Sequence, residues 1–563
     1  MPPTTKTRPT APTLRLRPWQ RAALDQFNAS DENDFLAVAT PGAGKTTFAL
    51  AAVRGFLAAN PTARVIVVAP TSHLKLQWAD AAARLGLDLE PSWSASHESL
   101  PNEADGLVTT YQQVSTSARV LSKLSKNAIV VFDEVHHAGE DRSWGESITV
   151  AFAGALRRLS ISGTPFRSDT SAIPFVRYEY EQAVSDFDYG YGPALADGGV
   201  VRPIYFPRFD GYMEWSAPDG SVLGASFDDE LDRTRANQRL RTALSAQGDW
   251  LPAVIAQAHE QLMRIRSDDQ PDAGGLIIAV DHEHARAIAH ILKVRHNSPA
   301  TVVLSDDPNA SDRIVAFGVG TRPWIVAVRM VSEGVDIPRL RVGVFATTTT
   351  TELFFRQAVG RLVRLTQGGG PQRAFMFIPD DARLRAWAEQ IKRQRRHSLR
   401  ARSESEEFAS DAEFDSQAEP DDGEQLSLFN ALSAVTLSSG APEMTVFDAA
   451  YEDIPEPRNL GVDEADLLFD LSPLPGRGER LIDPNGAAPR REREILRDKN
   501  ATAVRELVAL TGQQHGEVNA ELNRRSGVSK VAQASRAQLR KRLLAADGWR
   551  RQLSGQRSPW RVR

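Results

Sequence analysis

The sequence predicts an α/β chain of two tandem parallel-sheet lobes, followed by an acidic flexible linker and a small basic helical domain. Three observations carry that expectation. Short apolar runs at 34–39, 128–132, 275–280, 324–328 and 341–346 have the composition of strands buried on both faces, and they fall into two groups. Between Glu404 and Glu424 there are ten acidic residues and no Lys or Arg, so this stretch cannot bury enough apolar surface to order itself. From Arg490 to Arg563 there are 18 Lys/Arg against 7 Asp/Glu, a net of +11. A chain of 563 residues is too long for one core. The expected division is a disordered 1–13, a first lobe at 14–170, an inter-lobe connector at 171–271, a second lobe at 272–395, linker at 396–489 and the helical domain at 490–563.

Composition narrows the class. Hydrophobic residues make up 41% and charged residues 25%, as in an ordinary globular protein. With no cysteine, disulfides, Cys-based zinc modules and iron–sulfur clusters are excluded. No apolar stretch approaches the ~18 residues of a membrane span, and Met1–Pro12 is polar and proline-rich. Cytoplasmic residence is therefore expected, with no membrane partner.

The run at 34–39 leads directly into Ala39-Thr-Pro-Gly-Ala-Gly-Lys45-Thr46, and Thr46-Thr-Phe-Ala-Leu-Ala-Ala-Val reads as a helix. Strand, glycine-rich turn and helix in that order are the context of a P-loop. Gly42 and Gly44 permit close approach of backbone N–H groups to phosphate, and the helix N-terminus adds a favourable dipole. A nucleotide is expected on Thr40, Gly42, Ala43, Gly44, Lys45, Thr46 and Thr47, with Lys45 neutralising phosphate and Thr46 ligating Mg²⁺. Asp133 and Glu134 end the second apolar run, where α/β sheets place ligands. Asp133 suits the Mg²⁺ shell, and Glu134 the attacking water. The adjacent His136 and His137 lack a third ligand for zinc. His136 reads as a coupling residue towards the neighbouring lobe, and His137 as structural. Farther on, Gln357-Ala-Val-Gly360-Arg361-Leu-Val-Arg364 carries two arginines three apart, which on a helix share a face.

Asp133-Glu-Val-His136 resembles the DExH box of superfamily 2 helicases, and other motifs of that family can be located in order. Arg17-Pro-Trp-Gln20 resembles the element that reads adenine, with Gln20 as the base contact. Ala69-Pro70-Thr71 and Thr109-Thr110-Tyr111 resemble strand-contacting loops, so Pro70, Thr71, Thr109 and Thr110 are expected at nucleic acid. Ser162-Gly-Thr164-Pro resembles the motif linking hydrolysis to lobe movement. Ser332-Glu-Gly334-Val-Asp336 resembles the motif touching both nucleic acid, through Ser332, and nucleotide, through Gly334 and Asp336. Gln357, Arg361 and Arg364 match the arginine-finger motif. The resemblance covers about residues 14–395 and is nearest to the branch of XPB-like helicases, RecG-like helicases and type III restriction motors. It implies two RecA-like lobes, ATP and Mg²⁺ as cofactors, and a catalytic set of Lys45, Asp133, Glu134, Gln357, Arg361 and Arg364.

Within the linker, Gln425-Leu426-Ser-Leu428-Phe429 has a polar anchor followed by apolar side chains, as in a short docking peptide. It resembles the bacterial β sliding clamp-binding motif, with Gln425, Leu426, Leu428 and Phe429 at the contacts. The basic tail shows amphipathic spacing at Leu507, Leu510, Val518, Leu522, Leu539 and Leu543, with breaks at Gly512, Gly527 and Gly548. Its cationic face suits phosphate neutralisation, and docking on the linker or another protein is the alternative. The expected function is an ATP-dependent DNA helicase or translocase of replication or repair, partnered by single-stranded or forked DNA. The alternatives are a duplex translocase of a restriction or defence system, an RNA helicase, and a nucleotide-regulated clamp-binding adaptor.

Overall fold

The computed structural model describes residues 13–97, 100–101, 103–139, 142–163, 172–179, 182–216, 221–304, 307, 309–328, 337–366, 372–403, 430–435, 467–475 and 488–554. Thr164, Ser332, Gly334, Asp336 and the peptide 425–429 lie outside the described residues.

Two RecA-like lobes are each built on a parallel sheet. The first sheet runs Phe187–Tyr189, Asp34–Ala39, Arg157–Ser162, Ala128–Asp133, Arg64–Ala69, Gly106–Thr110, Leu89–Glu90. The second runs Ile204–Tyr205, Ala374–Pro379, Leu340–Ala346, Gly274–Ala279, Trp324–Val328, Thr301–Val303, and Arg208–Phe209 also pairs with Ala374–Pro379. The central strands are buried along their whole length, which is why they read as apolar runs rather than as alternation. Helices begin where a side chain can satisfy the first free N–H groups. Thr71 accepts from Leu74 N, Thr110 from Gln113 N, Asp232 from Arg235 N and Asp281 from His284 N.

The connector is shared between the lobes rather than standing between them. Phe187–Tyr189 extends the first sheet beside the P-loop strand, while Ile204–Tyr205 extends the second. Between them the short helix Tyr191–Ala196 packs on the long helix Ala382–Ser403, which continues the second lobe past residue 395. The C-terminal part of the connector forms the helices Arg233–Ala243 and Trp250–Asp268, separated by a turn in which Gly248 N donates to Ser245 O at 3.2 Å. Buried apolar residues run without interruption from the P-loop helix through Tyr189, Tyr191 and Val201 to Phe355, Val359 and Leu362.

The region read as linker differs from expectation in two places. Asn430–Val435 adds an antiparallel strand to the connector hairpin Tyr212–Ser216/Val222–Ser226, and Leu468–Asp470 pairs antiparallel with Thr13–Arg15. Beyond that second strand Leu471 and Leu474 enter the core of the first lobe, and Arg54 Nη2 donates to Ser472 O at 2.6 Å. These strands are held by partners hundreds of residues away, so local composition gives no sign of them.

The C-terminal segment forms the helices Ala488–Thr511, His515–Ser526 and Arg536–Ser554 around Val504, Leu507, Val518, Leu522, Ala546 and Trp549. Gly512 and Gly527 sit between helices with φ of 69° each, whereas Gly548 lies inside the last helix and Leu510 is exposed. The bundle docks on the edge of the first lobe. Arg493 is buried there against Asp88 at 2.6 Å, Glu103 at 3.2 Å and Glu90 at 3.3 Å, with Arg497–Glu90 and Arg536–Glu103 alongside.

Candidate active site

The P-loop turns at Gly42 and Gly44, whose φ values of 85° and 92° lie in the left-handed region that glycine enters without a Cβ penalty. Helix Lys45–Ala59 follows at once. The turn is held from outside by the segment at 17–20. Arg17 Nη1 donates to Gly42 O at 3.1 Å and Ala43 O at 2.8 Å, Trp19 Nε1 to Ala43 O at 3.0 Å, and Gln20 Nε2 to Gly44 O at 2.9 Å. Gln20 Oε1 also accepts from Arg17 N at 2.8 Å, so both ends of the amide expected at adenine are engaged with backbone. On the other side Thr40 N donates to Tyr189 O at 2.9 Å, and Tyr189 stacks on Trp19 at 5.0 Å.

Asp133 ends the strand Ala128–Asp133 and Glu134 follows it, beside the P-loop lysine. Glu134 has φ of 47°, an uncommon left-handed conformation for a residue bearing Cβ, of a kind that concentrates at functional sites. Its Oε1 meets Lys45 Nζ at 2.9 Å, while Oε2 accepts from Gly163 N at 2.9 Å and Ser162 Oγ at 3.1 Å. Burial alone would raise its pKa, but the Lys45 charge above all, with the Gly163 N–H, holds it well below the usual carboxylate range. Asp133 responds oppositely. Burial, then the Glu134 charge, pushes it up to about 6 against the indole of Trp78 and the charge of Lys45. Trp78 Nε1 donates to Asp133 Oδ2 at 2.7 Å, and Tyr111 OH to Asp133 O at 2.9 Å.

From Glu134 a hydrogen-bonded path leads into the second lobe. Gln357 Nε2 lies 3.2 Å from His136 Nε2, and His136 Nδ1 lies 3.2 Å from Ser162 Oγ. With the Gln357 amide donating, His136 carries its proton on Nδ1 and donates to Ser162, whose hydroxyl donates to Glu134. His137 is buried beside it, its ring 4.4 Å from that of His136 and 6.2 Å from Tyr111. Gln357 belongs to helix Glu352–Leu362, which lies directly on the P-loop. A Cβ on Gly360 would stand 2.4 Å from Pro41 Cγ, and one on Gly42 would stand 3.0 Å from Arg364 Cγ. This helix ends at Leu362, so Arg361 is helical while Arg364 lies beyond, in an antiparallel bridge with Val201. The two arginines therefore do not occupy one helical face as their spacing suggested. A cavity of about 230 Å³ opens beside this contact, lined by Thr40, Pro41 and Gly163 on one side and Arg356 and Gly360 on the other.

The residues present fit a magnesium nucleotide. Two left-handed glycines, a helix N-terminus and the Lys45 ammonium, which already holds a carboxylate oxygen, form an anion-binding donor set. Asp133 and Thr46 supply hard oxygen donors for the cation. The loops expected at nucleic acid are placed differently from their side chains' expected use. Thr71 and Thr110 are spent as helix caps, and Thr109 is buried and donates to Gln113 Oε1 at 3.0 Å. With Pro70 ahead of Thr71, these loops present helix N-termini at the strand ends. Trp78, Tyr191 and Arg202 take part in the site's framework and carried no motif signal, and Pro41, inside the P-loop motif, was assigned no role of its own.

Fold and site together define a two-lobed P-loop protein that resembles superfamily 2 helicases, with the P-loop in one lobe and candidate finger arginines in the other. Residues 13–167 match the family described as type III restriction enzyme, res subunit. The chain is 40% identical over 584 residues to the uncharacterized protein Rv2917 of Mycobacterium tuberculosis, covering 96% of this chain and 93% of that protein. It belongs to the family of that mycobacterial protein. A more distant likeness is to the DNA 3′-5′ translocase XPB2 of Sulfurisphaera tokodaii, 24% identical over 370 residues, covering 62% of this chain and 79% of the relative. Among solved structures, a fragment described as the HsdR subunit of a type I restriction enzyme from Vibrio vulnificus aligns with a TM-score of 0.48 and 18% identity, over 67% of each chain. No helix among the described residues is long and apolar enough to cross a membrane.

Proposed function

We propose that the chain is an ATP-dependent DNA helicase or translocase, coupling hydrolysis to movement on or unwinding of DNA in replication or repair. The observation that carries this reading is the path Lys45–Glu134–Ser162–His136–Gln357, which joins the phosphate site to the opposite lobe. In this reading Lys45 and the turn 40–47 hold the triphosphate. Glu134, released from Lys45 by the incoming phosphate, orients the attacking water, and Arg361 and Arg364 neutralise charge developing at the γ-phosphate. Thr46 and Asp133 would hold Mg²⁺, which when bound neutralises phosphate charge. Hydrolysis is sensed at Ser162 and His136 and passed to Gln357, so the lobes alternate between grips on the strand. Gly334, Asp336, Ser332 and Thr164 keep their motif roles in the proposal.

A second reading, a translocase that moves on duplex without separating strands, takes its support from the restriction-enzyme family matched at 13–167 and from the archaeal relative's name, DNA 3′-5′ translocase. One assay distinguishes the readings: ATP turnover and strand separation on single-stranded, forked and duplex DNA and on RNA. Unwinding of forked DNA is expected. Turnover on duplex without unwinding assigns the translocase, and stimulation by RNA alone overturns the DNA assignment. We further propose that Gln425, Leu426, Leu428 and Phe429 dock on a β sliding clamp. Phe429→Ala is then expected to weaken clamp binding while sparing turnover, and an unchanged clamp affinity removes that partner.

A further inference from the structure

The connector residue Arg202 is fully buried, yet its guanidinium meets backbone oxygens rather than a carboxylate. Nη2 donates to Pro338 O at 2.8 Å and to Arg364 O, and Nη1 reaches Leu340 O at 3.5 Å. Its own N–H donates to Val363 O at 2.7 Å, and Val201 bridges Arg364. The cation satisfies the Arg364 carbonyl just past the C-terminal end of the helix that carries Gln357, Gly360 and Arg361, and it complements that helix's negative end. The backbone of Arg202 is fixed in turn. Tyr191 OH donates to Arg202 O at 3.3 Å and accepts from Ile204 N at 3.0 Å, and Ile204 lies in the second sheet. Burial holds the pKa of Arg202 down to about 9, with Arg341 adding and Asp269 opposing, so the charge is kept at a cost that an apolar residue would avoid.

We propose that Arg202 is a positioning residue for Arg364, holding the chain just beyond the helix so that the Arg364 side chain starts against the P-loop. The three carbonyls come from two separate segments, 338–340 and 364, which a guanidinium fork can bridge at once and an ammonium cannot. Pro338 precedes and Leu340 opens the strand Leu340–Ala346, so the fork ties the end of the finger helix to the second sheet. The residue adjacent to a finger whose placement must be accurate is thus locked on both faces by the connector.

The proposal rests on the hydrolytic reading of Arg364, and the experiment separates the two. Full-length Arg202→Met, Arg202→Lys, Arg364→Ala and the double variant Arg202→Met/Arg364→Ala are compared for ATP turnover with forked DNA, alongside thermal unfolding. Arg202→Met is expected to lower kcat by about 10- to 100-fold with KM for ATP near that of the parent, as for a catalytic group displaced by about 1 Å. Arg202→Lys is expected to recover part of the loss, and it serves alone if the Met variant does not fold. In the Arg364→Ala background, Arg202→Met is expected to add no further loss. An equal loss in both backgrounds, or an unchanged kcat in folded Arg202→Met and Arg202→Lys, overturns the positioning role. If Arg364→Ala itself turns over like the parent, the finger reading fails and the positioning role with it.

Discussion

Gly360→Ala puts the interface between the lobes to a direct test. The added Cβ would lie 2.4 Å from Pro41 Cγ and 2.6 Å from Pro41 Cβ. Carbon atoms settle at about 3.5–4.0 Å, so the finger helix must retreat by roughly 1.1–1.6 Å. Neither partner yields readily. Proline has a locked φ, and the turn behind it is held by the hydrogen bonds of Arg17, Trp19 and Gln20 to the carbonyls of Gly42, Ala43 and Gly44. Displacement of that size at a reacting group costs about 100-fold in rate. Stability moves the other way, because alanine is better than glycine inside a helix by about 1 kcal/mol. The expected result is kcat lower by about two orders of magnitude, with KM for ATP little changed and thermal unfolding unchanged or later. Nucleic-acid-stimulated ATP turnover with a parallel melting curve reads both. Parental turnover in a fully folded Gly360→Ala protein would refute the claim that this contact is made during hydrolysis.

Two further substitutions probe the supports of the site and of the bundle. Trp78→Phe removes the indole donor from Asp133 Oδ2, and loss of such an outer support weakens metal binding by about 10- to 100-fold. A Mg²⁺ titration of turnover is expected to move to higher concentration, and an unmoved midpoint would show that the indole is a packing group alone. Arg493→Met leaves the buried Asp88 carboxylate without its arginine partner, which costs about 3–5 kcal/mol when a buried pair is broken. Urea unfolding should show the loss and limited proteolysis should release the bundle; identical midpoints and digestion patterns would mean that Arg497 and Arg536 suffice.

What the sequence revealed follows the range of the forces involved. The run at 324–328 became a strand with those bounds, and the run at 128–132 gained only Asp133, because a parallel strand buried on both faces is apolar throughout. Lys45, Asp133, Glu134 and Gln357 come together because motifs at strand and helix ends inherit the position of those ends. The strands at 430–435 and 468–470 were not legible, since each depends on an edge far away in sequence. Tyr189 and Tyr191 carry no motif signal in the sequence, and both are buried. Gln20 shows the reverse difficulty, because motif resemblance identifies a residue type at a position but not which of several acceptors its amide has taken.

The burial of those two tyrosines bears on how a split catalytic centre stays aligned. The chain leaves the first sheet at Gly190, and the helix Tyr191–Ala196 that follows packs on the long helix of the second lobe before the chain joins the second sheet at Ile204. Tyr189 O accepts from Thr40 N, at the entrance of the P-loop, and Tyr191 OH holds the Arg202 backbone, next to the tether on Arg364. The crossing point therefore contacts both halves of the phosphate site within three residues. Rotation about a point moves nearby atoms least, so a pivot here would keep Arg364 in register with Gly42 while distant nucleic-acid-facing loops swing through a larger arc. Had the crossing lain at the far edge of the sheets, the same rotation would carry the finger helix off Pro41 with each opening. Placing the crossing beside the P-loop strand makes accurate return of the arginines compatible with a large change of grip on the strand.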